Sequence, residues 1–508
     1  MELAAALVAA ALIALFIRYT TRKSPKGNLP PLVPGCIPLI GNVIGFNRKC
    51  PHFTLTDWAR KYGDIFRFKV LGETIVVLNS SDYVRDALIY KADDFAGRPF
   101  LFRVHYGFHY AKDIIFGSIS TKWLLMKRYA AQFLRAYTSG LADIDGLVEE
   151  ELNILVRLFN EKNAVDFDPS LILMTAVVNG ITASLLGKRY NHDHPLMVEY
   201  KSTTRLFSES CSSVQGMELD LFPWLRFLPN TTFVKLNQAR DQIDHFVDTE
   251  LAEINSKLDH QNPKCMLDAF LIKAMEDEKN AVQLPITSAD VRCIFVDILV
   301  SGTLTSSIAM SSFVLIMAQH QDLQRDLQSQ VDRTLGKRKI PTPSDRKSMP
   351  LIEAAMLETL RFISHIPLNL PHFTMCDTQV GGYDIPKDTM VMLNLWAVHH
   401  DPRIWDEPWK FNPNRFLDAS GNPVSNDHVL RKSLLPFGAG RRMCLGESLA
   451  RERLFLFATV LLRNFTFLPS ISTPSTCDPC DFDLGLILEP KPFQIRAEPR
   501  KVSESYEQ

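Results

Sequence analysis

Pro436-Phe437-Gly438-Ala439-Gly440-Arg441-Arg442-Met443-Cys444-Leu445-Gly446 is the stretch on which the reading of this chain turns. A glycine-rich loop presents one cysteine, and the apolar, charge-dotted run from Glu447 to Leu461 that follows predicts a helix. A thiol there lies near the helix N-terminus, where unpaired backbone N–H groups and the helix dipole favour negative charge and lower a thiol pKa. Gly438, Gly440 and Gly446 allow the backbone to pass close to a flat ligand and to aim N–H groups at the sulfur. Arg442 offers a planar fork of donors to a carboxylate or phosphate. Such a loop suits a soft, anionic axial ligand to iron, beside a cation matched to a haem propionate. The competing reading of a lone cysteine in a tight turn is a buried structural thiol.

The spacing Phe437, Gly440, Arg442, Cys444, Gly446 resembles the haem-binding signature of the cytochrome P-450 family at all five fixed positions. The resemblance implies haem b as cofactor and the Cys444 thiolate as its iron ligand, with Phe437, Gly440, Arg442 and Gly446 in contact with the haem. It implies a mostly α fold with a small β region, the haem lying between a long central helix and the cysteine-loop helix.

Composition sets the outer bounds. The chain has 508 residues, 46% hydrophobic and 22% charged, which is globular composition with length to bury a large core. Lys plus Arg number 56 against 57 Asp plus Glu, so no global charge points to nucleic acid. Nine cysteines, an odd number without a framework, suit a reducing compartment. Cys477-Asp478-Pro479-Cys480 has CxxC spacing but no second pair, and its Ser/Pro/Thr/Asp surroundings read as a surface loop.

Leu3 to Ile17 is an unbroken apolar run followed by Arg18, Arg22, Lys23 and Lys26. The rival reading, a cleaved signal peptide, wants its positive charge ahead of the apolar run; here it follows, and positive residues stay cytoplasmic. Residues 1–20 therefore read as an uncleaved membrane anchor. A basic, proline-rich hinge over 21–41 follows, stiff and extended from Leu29 to Pro38. The catalytic domain is expected over 42–498 and a polar tail over 499–508. Within it, Phe53 to Tyr62 reads as a helix, Asp64–Val70 and Thr74–Leu78 as paired strands, and Ser81 to Ala92 as helix again. Residues 97 to 120 are aromatic and irregular, either a loop over haem and substrate or ordinary core. Trp123 and Lys127 stand one helical turn apart, with Arg128 next to Lys127. The family commonly places Trp and then Arg at this spacing to hold a haem propionate, so Trp123, Lys127 and Arg128 are expected near the haem, with Lys127 in the usual Arg position. Amphipathic helices fill Leu141 to Lys279, broken at Pro223, Pro229 and Asn230.

Thr287-Ser288-Ala289-Asp290 has capping-box form and opens a helix apolar on nearly every face, which belongs in the interior of a large domain. Inside it lies Ser301-Gly302-Thr303-Leu304-Thr305-Ser306. Hydroxyls there can bond back to carbonyls and bend the helix. The segment resembles the family's oxygen-activation motif at Ser301, Gly302, Thr305 and Ser306, which implies that Thr305 orients dioxygen. It departs at Leu304, where the family carries an acid. Gly302 and Leu304 are expected to line the substrate pocket. The missing acid leaves room for an oxygen-independent isomerase or lyase acting on a peroxide.

Glu358 and Arg361 share a helix face at i and i+3, within a largely apolar helix from Leu351 to Phe362. They resemble the family's Glu-x-x-Arg pair, with Arg415 as the third member, and are expected to be scaffold. His372, after Pro371, is a candidate propionate partner. Thr378 to Asn394 reads as strand, turn, strand with Pro386-Lys387-Asp388 in the turn; His399-His400 is a poor metal pair. Asp483 to Pro490 resembles the last loop lining the pocket. The hinge, Gly97-Arg98-Pro99 and Asn394 to Pro402 look like the animal microsomal branch that includes steroid hydroxylases and aryl-hydrocarbon oxidases.

The resemblance therefore implies a monooxygenase that inserts one oxygen atom into a small hydrophobic substrate, sterol-like or xenobiotic. Electrons would come from NADPH through a cytochrome reductase or a cytochrome b-type donor, docking near Lys127, Arg128, Arg441 and Arg451. The protein would sit in the lipid bilayer of the endoplasmic reticulum as a single-pass chain with a cytosolic body. The alternatives are the isomerase or lyase and a non-enzymatic haem protein that binds an apolar ligand.

Overall fold

A computed structural model describes residues 27–501 apart from 39, 48, 109–112, 139 and 212–215. The anchor over 1–20, the first residues of the hinge and the tail from 502 lie outside the described residues. The chain divides into two compact units. One takes the described residues up to Pro99 with Ile366–Pro408 and Lys432–Met443; the other takes Phe100–His365, Trp409–Arg431 and the chain from Cys444.

The smaller unit is built on a four-stranded sheet. Ile65–Val70 and Glu73–Leu78 pair antiparallel, Val70 opposite Glu73. The two-residue turn between them has φ of 48° at Leu71 and 84° at Gly72, the left-handed pair that suits the twist of a tight hairpin. Met390–Leu393 adds parallel to the second strand and His372–Phe373 closes the other edge. Alternating apolar residues (Ile65, Val76, Leu78, Val391, Leu393) join Leu88 and Phe95 in one core. The helix Pro51–Tyr62 starts at a proline, where the missing N–H costs nothing. The hinge is extended as its proline content predicts, and it is stitched to the first strand. The Val33 N–H donates to Arg67 O at 2.9 Å and Arg67 Nε donates to Pro30 O at 2.8 Å.

The expected strand-turn-strand over Thr378–Asn394 is redistributed. Thr378–Val380 pairs with Tyr383–Ile385 around Gly381 and Gly382, at φ 60° and 80°. Two adjacent left-handed glycines make the tighter reversal. Pro386-Lys387-Asp388 instead leads into Met390–Leu393, a strand of the main sheet.

The larger unit is helical, from Thr121–Ala136 through Glu447–Asn464. At its centre runs Ser288–Gln319, 32 residues and about 48 Å long. Its capping box is formed: the Thr287 N–H donates to Asp290 Oδ2 at 2.7 Å and the Asp290 N–H to Thr287 Oγ1 at 3.3 Å. The helix is long and apolar enough to cross a membrane, but most of it is buried within the protein. Ser170–Leu186 packs on it so closely that a Cβ at Gly302 would stand 3.0 Å from Ile181 Cδ1. Asn230 caps the helix Thr231–Lys257, accepting from the Phe233 N–H at 2.9 Å, which explains the predicted break. Small antiparallel pairs, Phe465–Pro469 with Ile495–Pro499 and Asp483–Leu484 with Leu488–Glu489, complete the unit.

Candidate active site

In the larger unit, Cys444 stands two residues before the N-cap Gly446 of the helix Glu447–Asn464. Its side chain is accessible and in no disulfide. Burial by surrounding protein pushes the thiol up, and the backbone N–H groups of Gly446 and Glu447 oppose that by aiming at the sulfur. Lys127 is close enough for its charge to lower the thiol as well. A sulfur both accessible and set among protein atoms, with amide donors directed at it, is fitted for a soft ligand that takes over its charge. Among the described residues no group of three or more His, Cys, Asp or Glu is placed to hold a metal ion.

Lys127 Nζ lies 5.3 Å from the centre of the buried Trp123 ring, and Trp123 Nε1 donates to Ile114 O at 3.0 Å. Helical spacing puts Trp123 and Lys127 on one face. It turns Arg128 away: that side chain is exposed and its guanidinium lies over Tyr129, 5.3 Å from the ring centre.

The long helix is closed through its middle except along one stripe. Ile298, Ser301, Gly302 and Thr305 are partly accessible, spaced as one helical face, while Thr303 and Leu304 are buried. Thr305 Oγ1 donates to Ser301 O at 2.8 Å. Tyr200 Oη donates to Leu299 O at 3.1 Å, so a phenol shares a carbonyl of the helix just before Gly302.

The structure brings Glu358, Arg361 and Arg415 together. Arg361 Nε and Nη2 donate to the Glu358 carboxylate at 2.7 and 2.8 Å, Arg415 Nε at 3.1 Å, and the Asn412 N–H at 2.9 Å. Glu358 and Arg361 are wholly buried.

In the smaller unit, the Phe437–Met443 part of the cysteine loop makes a tight turn. Gly440 has φ 65°, and a Cβ there would lie 1.7 Å from Leu88 O, so only glycine fits this close backbone approach. Gly438, also left-handed at φ 66°, and the half-buried Phe437 precede it. At Gly446 a Cβ would meet open space, so its value lies in the N–H rather than in its conformation. Arg442 Nε donates to Ala96 O at 2.7 Å. His372 is buried, its Nδ1 2.6 Å from Phe95 O. Burial holds its pKa well below the ordinary value, helped by the charges of Arg98 and Arg442. Arg98 also donates to Leu370 O and Pro371 O, at 3.1 and 2.8 Å. Arg98, His372 and Arg442 thus form a donor-rich, cationic group suited to an anionic edge such as a porphyrin carboxylate.

Sequence reasoning passed over Arg98; its signal was a cation between a glycine and a proline, which fixes its backbone. Of the cations expected to receive an electron donor, Arg441 is paired with Asp93 at 2.7 Å and Arg451 with Glu447 and Glu353 at 2.8 and 3.5 Å. The Cys477–Cys480 loop is less superficial than expected: Cys477 is buried, its Sγ 3.9 Å from His320 Nε2, while Cys480 is exposed. His399 Nε2 accepts from the Leu435 N–H at 3.1 Å, a structural role.

The sequence model of the Cytochrome P450 family matches residues 30–497. Cytochrome P450 1A1 of Platichthys flesus is 30% identical over 505 residues, covering 97% of this chain and 95% of its own. That of Oncorhynchus mykiss is 31% identical over 514 residues, with 97% and 95% covered. Steroid 17-alpha-hydroxylase/17,20 lyase of Squalus acanthias is 30% identical over 495 residues, with 96% and 95% covered. A mostly helical chain with a small β region, matched along nearly its whole length, belongs to the cytochrome P450 family, whose members are oxidoreductases of monooxygenase type with haem b held by a cysteine thiolate.

Proposed function

We propose that this protein inserts one atom of dioxygen into a small hydrophobic substrate, sterol-like or xenobiotic, using electrons from NADPH delivered by a cytochrome reductase or a cytochrome b-type donor. The reading is carried by Cys444, an accessible thiol met by the N–H groups of Gly446 and Glu447 at a helix N-terminus. Haem b, when bound, supplies the oxygen-activating chemistry. The remaining roles belong to the chain. Cys444 holds the iron as thiolate. Phe437, Gly440 and Gly446 shape its loop. In the larger unit Trp123 and Lys127, and in the smaller Arg442, His372 and Arg98, each offer groups suited to a haem propionate. Gly302 and Thr305 face the substrate along the accessible stripe, and Thr305 offers its hydroxyl there. Glu358, Arg361 and Arg415 keep the geometry fixed. Residues 42–498 serve as one catalytic body, anchored by 1–20 in the endoplasmic reticulum membrane with the body cytosolic. The two kinds of relative support the substrate class, since one is named for steroid hydroxylation.

Incubation of the lipid-bound protein with reductase, NADPH, a hydrophobic tissue extract and isotope-labelled dioxygen tests this. Products carrying one labelled oxygen, formed only with NADPH, are expected; their absence overturns the proposal. One observation favours a second reading. Leu304 is apolar and buried where an acid is expected, which suits an isomerase or lyase that consumes hydroperoxides without reductase.

A further inference from the structure

A carboxylic acid is seldom buried without a cation or a full set of donors. Two are buried together in the larger unit. Asp297 stands on the long helix, 4% exposed, and Asp113 lies before the helix Thr121–Ala136, 2% exposed. The Ile114 N–H donates to Asp297 Oδ2 at 2.7 Å, which brings Asp113, the residue before it, to Asp297. The Phe116 N–H donates to Asp113 Oδ1 at 2.5 Å. The other oxygen of each, Asp113 Oδ2 and Asp297 Oδ1, is buried without a hydrogen-bond partner. Burial raises both groups from the ordinary carboxylate value, Asp297 well above it, and the charge of Asp113 pushes Asp297 further. The charge of His105 lowers Asp113, and Cys293, with Asp290 and Arg292 beside it, is also in electrostatic reach of the pair. One proton held by the pair would remove the repulsion between two acids in electrostatic reach of one another.

Asp297, Ser301 and Thr305 follow one another at four-residue steps, one above the other on a single face. Ser301 Oγ donates to Asp297 O and Thr305 Oγ1 to Ser301 O, and both hydroxyls are on the accessible stripe. We propose that Asp113 and Asp297 share one proton, and that this pair supplies protons to the Ser301–Thr305 hydroxyls, the task Leu304 cannot perform. The supply role rests on the monooxygenase reading. The shared carboxyl gives its proton to a water, which passes one of its own to Ser301 Oγ. Ser301 turns from the Asp297 carbonyl and releases its original proton, through water, to Thr305. Thr305 passes its original proton to the dioxygen that takes up electrons from NADPH, so each hydroxyl gains one proton and loses one; the pair is left doubly charged and regains a proton from solvent. Asp113 and Asp297 are thereby positioning residues that act through Thr305.

Infrared difference spectroscopy on the haem-loaded, lipid-bound full chain reads the shared proton without turnover. The wild type is expected to keep one carboxylic-acid C=O band at neutral pH. Asp297→Asn should remove or shift it, since the partner that shares the proton is gone. Asp113→Asn should keep the band but titrate at lower pH, because the repulsion is gone. No band in the wild type, or an unchanged band in Asp297→Asn, overturns the shared proton. Asparagine at 297 still accepts from Ile114, and the thiolate-haem absorption of each variant reports its integrity. Product formed per NADPH reads the supply role: about a tenfold fall is expected in Asp297→Asn. Leu304→Glu in the same chain should restore it and Leu304→Gln should not, because a structural defect at 297 is not repaired by an acid at 304. Failure of Leu304→Glu to restore coupling overturns the supply role. If the wild type forms no NADPH-dependent product, the monooxygenase reading and the supply role fail together, while the infrared result still decides the shared proton.

Discussion

Glu358 and Asp297 are buried alike and live in opposite circumstances. Glu358 receives three guanidinium N–H groups and one amide. Asp297 receives one amide and leaves Oδ1 without a partner. Burying a charge is tolerated when every lone pair is engaged, and the network then fixes geometry more than it adds stability. When lone pairs are left over, the cheaper state is to keep a proton. The first arrangement is scaffold. The second holds a group that can change its charge, which is what acid–base chemistry requires.

The largest test of this contrast is Glu358→Ala. It takes from Arg361, wholly buried, the carboxylate that balances its charge, and about 3–5 kcal/mol of stability should be lost. Chemical denaturation and haem retention measure it. Asp297→Asn should do the reverse: the Ile114 bond survives and an unsatisfied buried charge disappears. Above the pH at which Asp297 ionises, the variant should gain about 1–3 kcal/mol over the wild type. Because the folded-state pKa of Asp297 is raised, its contribution is fully present at low pH and is lost as pH rises through that value. The variant's stability should therefore decline less as pH rises from the unfolded carboxylate value toward that of the folded group. If Glu358→Ala proves the milder change, the distinction between the two sites collapses.

The smaller unit supplies the opposite slope. His52 is buried with neither ring nitrogen hydrogen-bonded, its ring 4.3 Å from that of Phe53 and 4.8 Å from that of Trp396. Burial lowers its pKa to about 4. The unfolded chain takes up a proton near pH 6.5 and the folded chain only near 4, so stability is lost as pH falls across that window. The loss from this one residue is about 3 kcal/mol by pH 4. His52→Phe keeps the aromatic packing and should flatten the acid side of the stability curve by that amount. An unchanged acid limb would show that another group controls it.

Local signals were legible in the sequence because local physics sets them. The capping box at Thr287, the all-round apolar helix after it, the Glu358–Arg361 pair and the helix after Cys444 depend on neighbours within a few turns. What escaped depends on partners far away in the chain. The need for glycine at 440 comes from the carbonyl of Leu88. The turn at Gly381–Gly382 was hidden behind the stronger proline signal at Pro386. The Asp113–Asp297 pair joins an irregular segment to a helix 183 residues later, through Ile114. Asp297 did leave a mark, one charge within the apolar run Ile294 to Val300, which is rare unless that charge has company.

The smallest predicted effect separates two adjacent cations. Lys127 lies over Trp123 and its charge reaches the Cys444 thiol, whereas Arg128, one residue on, is exposed and turned to Tyr129. An ammonium over an aromatic face, partly shielded from water, is worth about 1 kcal/mol. Lys127→Gln should therefore speed haem loss by about fivefold, measured as transfer to an acceptor apoprotein. Arg128→Gln should leave the rate unchanged. Lys127→Arg sharpens the comparison: a planar fork in the same place offers two parallel donors to a carboxylate where the ammonium offers a point charge, so haem loss should slow. Equal effects at 127 and 128 would mean that overall positive charge, not the face shared with Trp123, retains the cofactor.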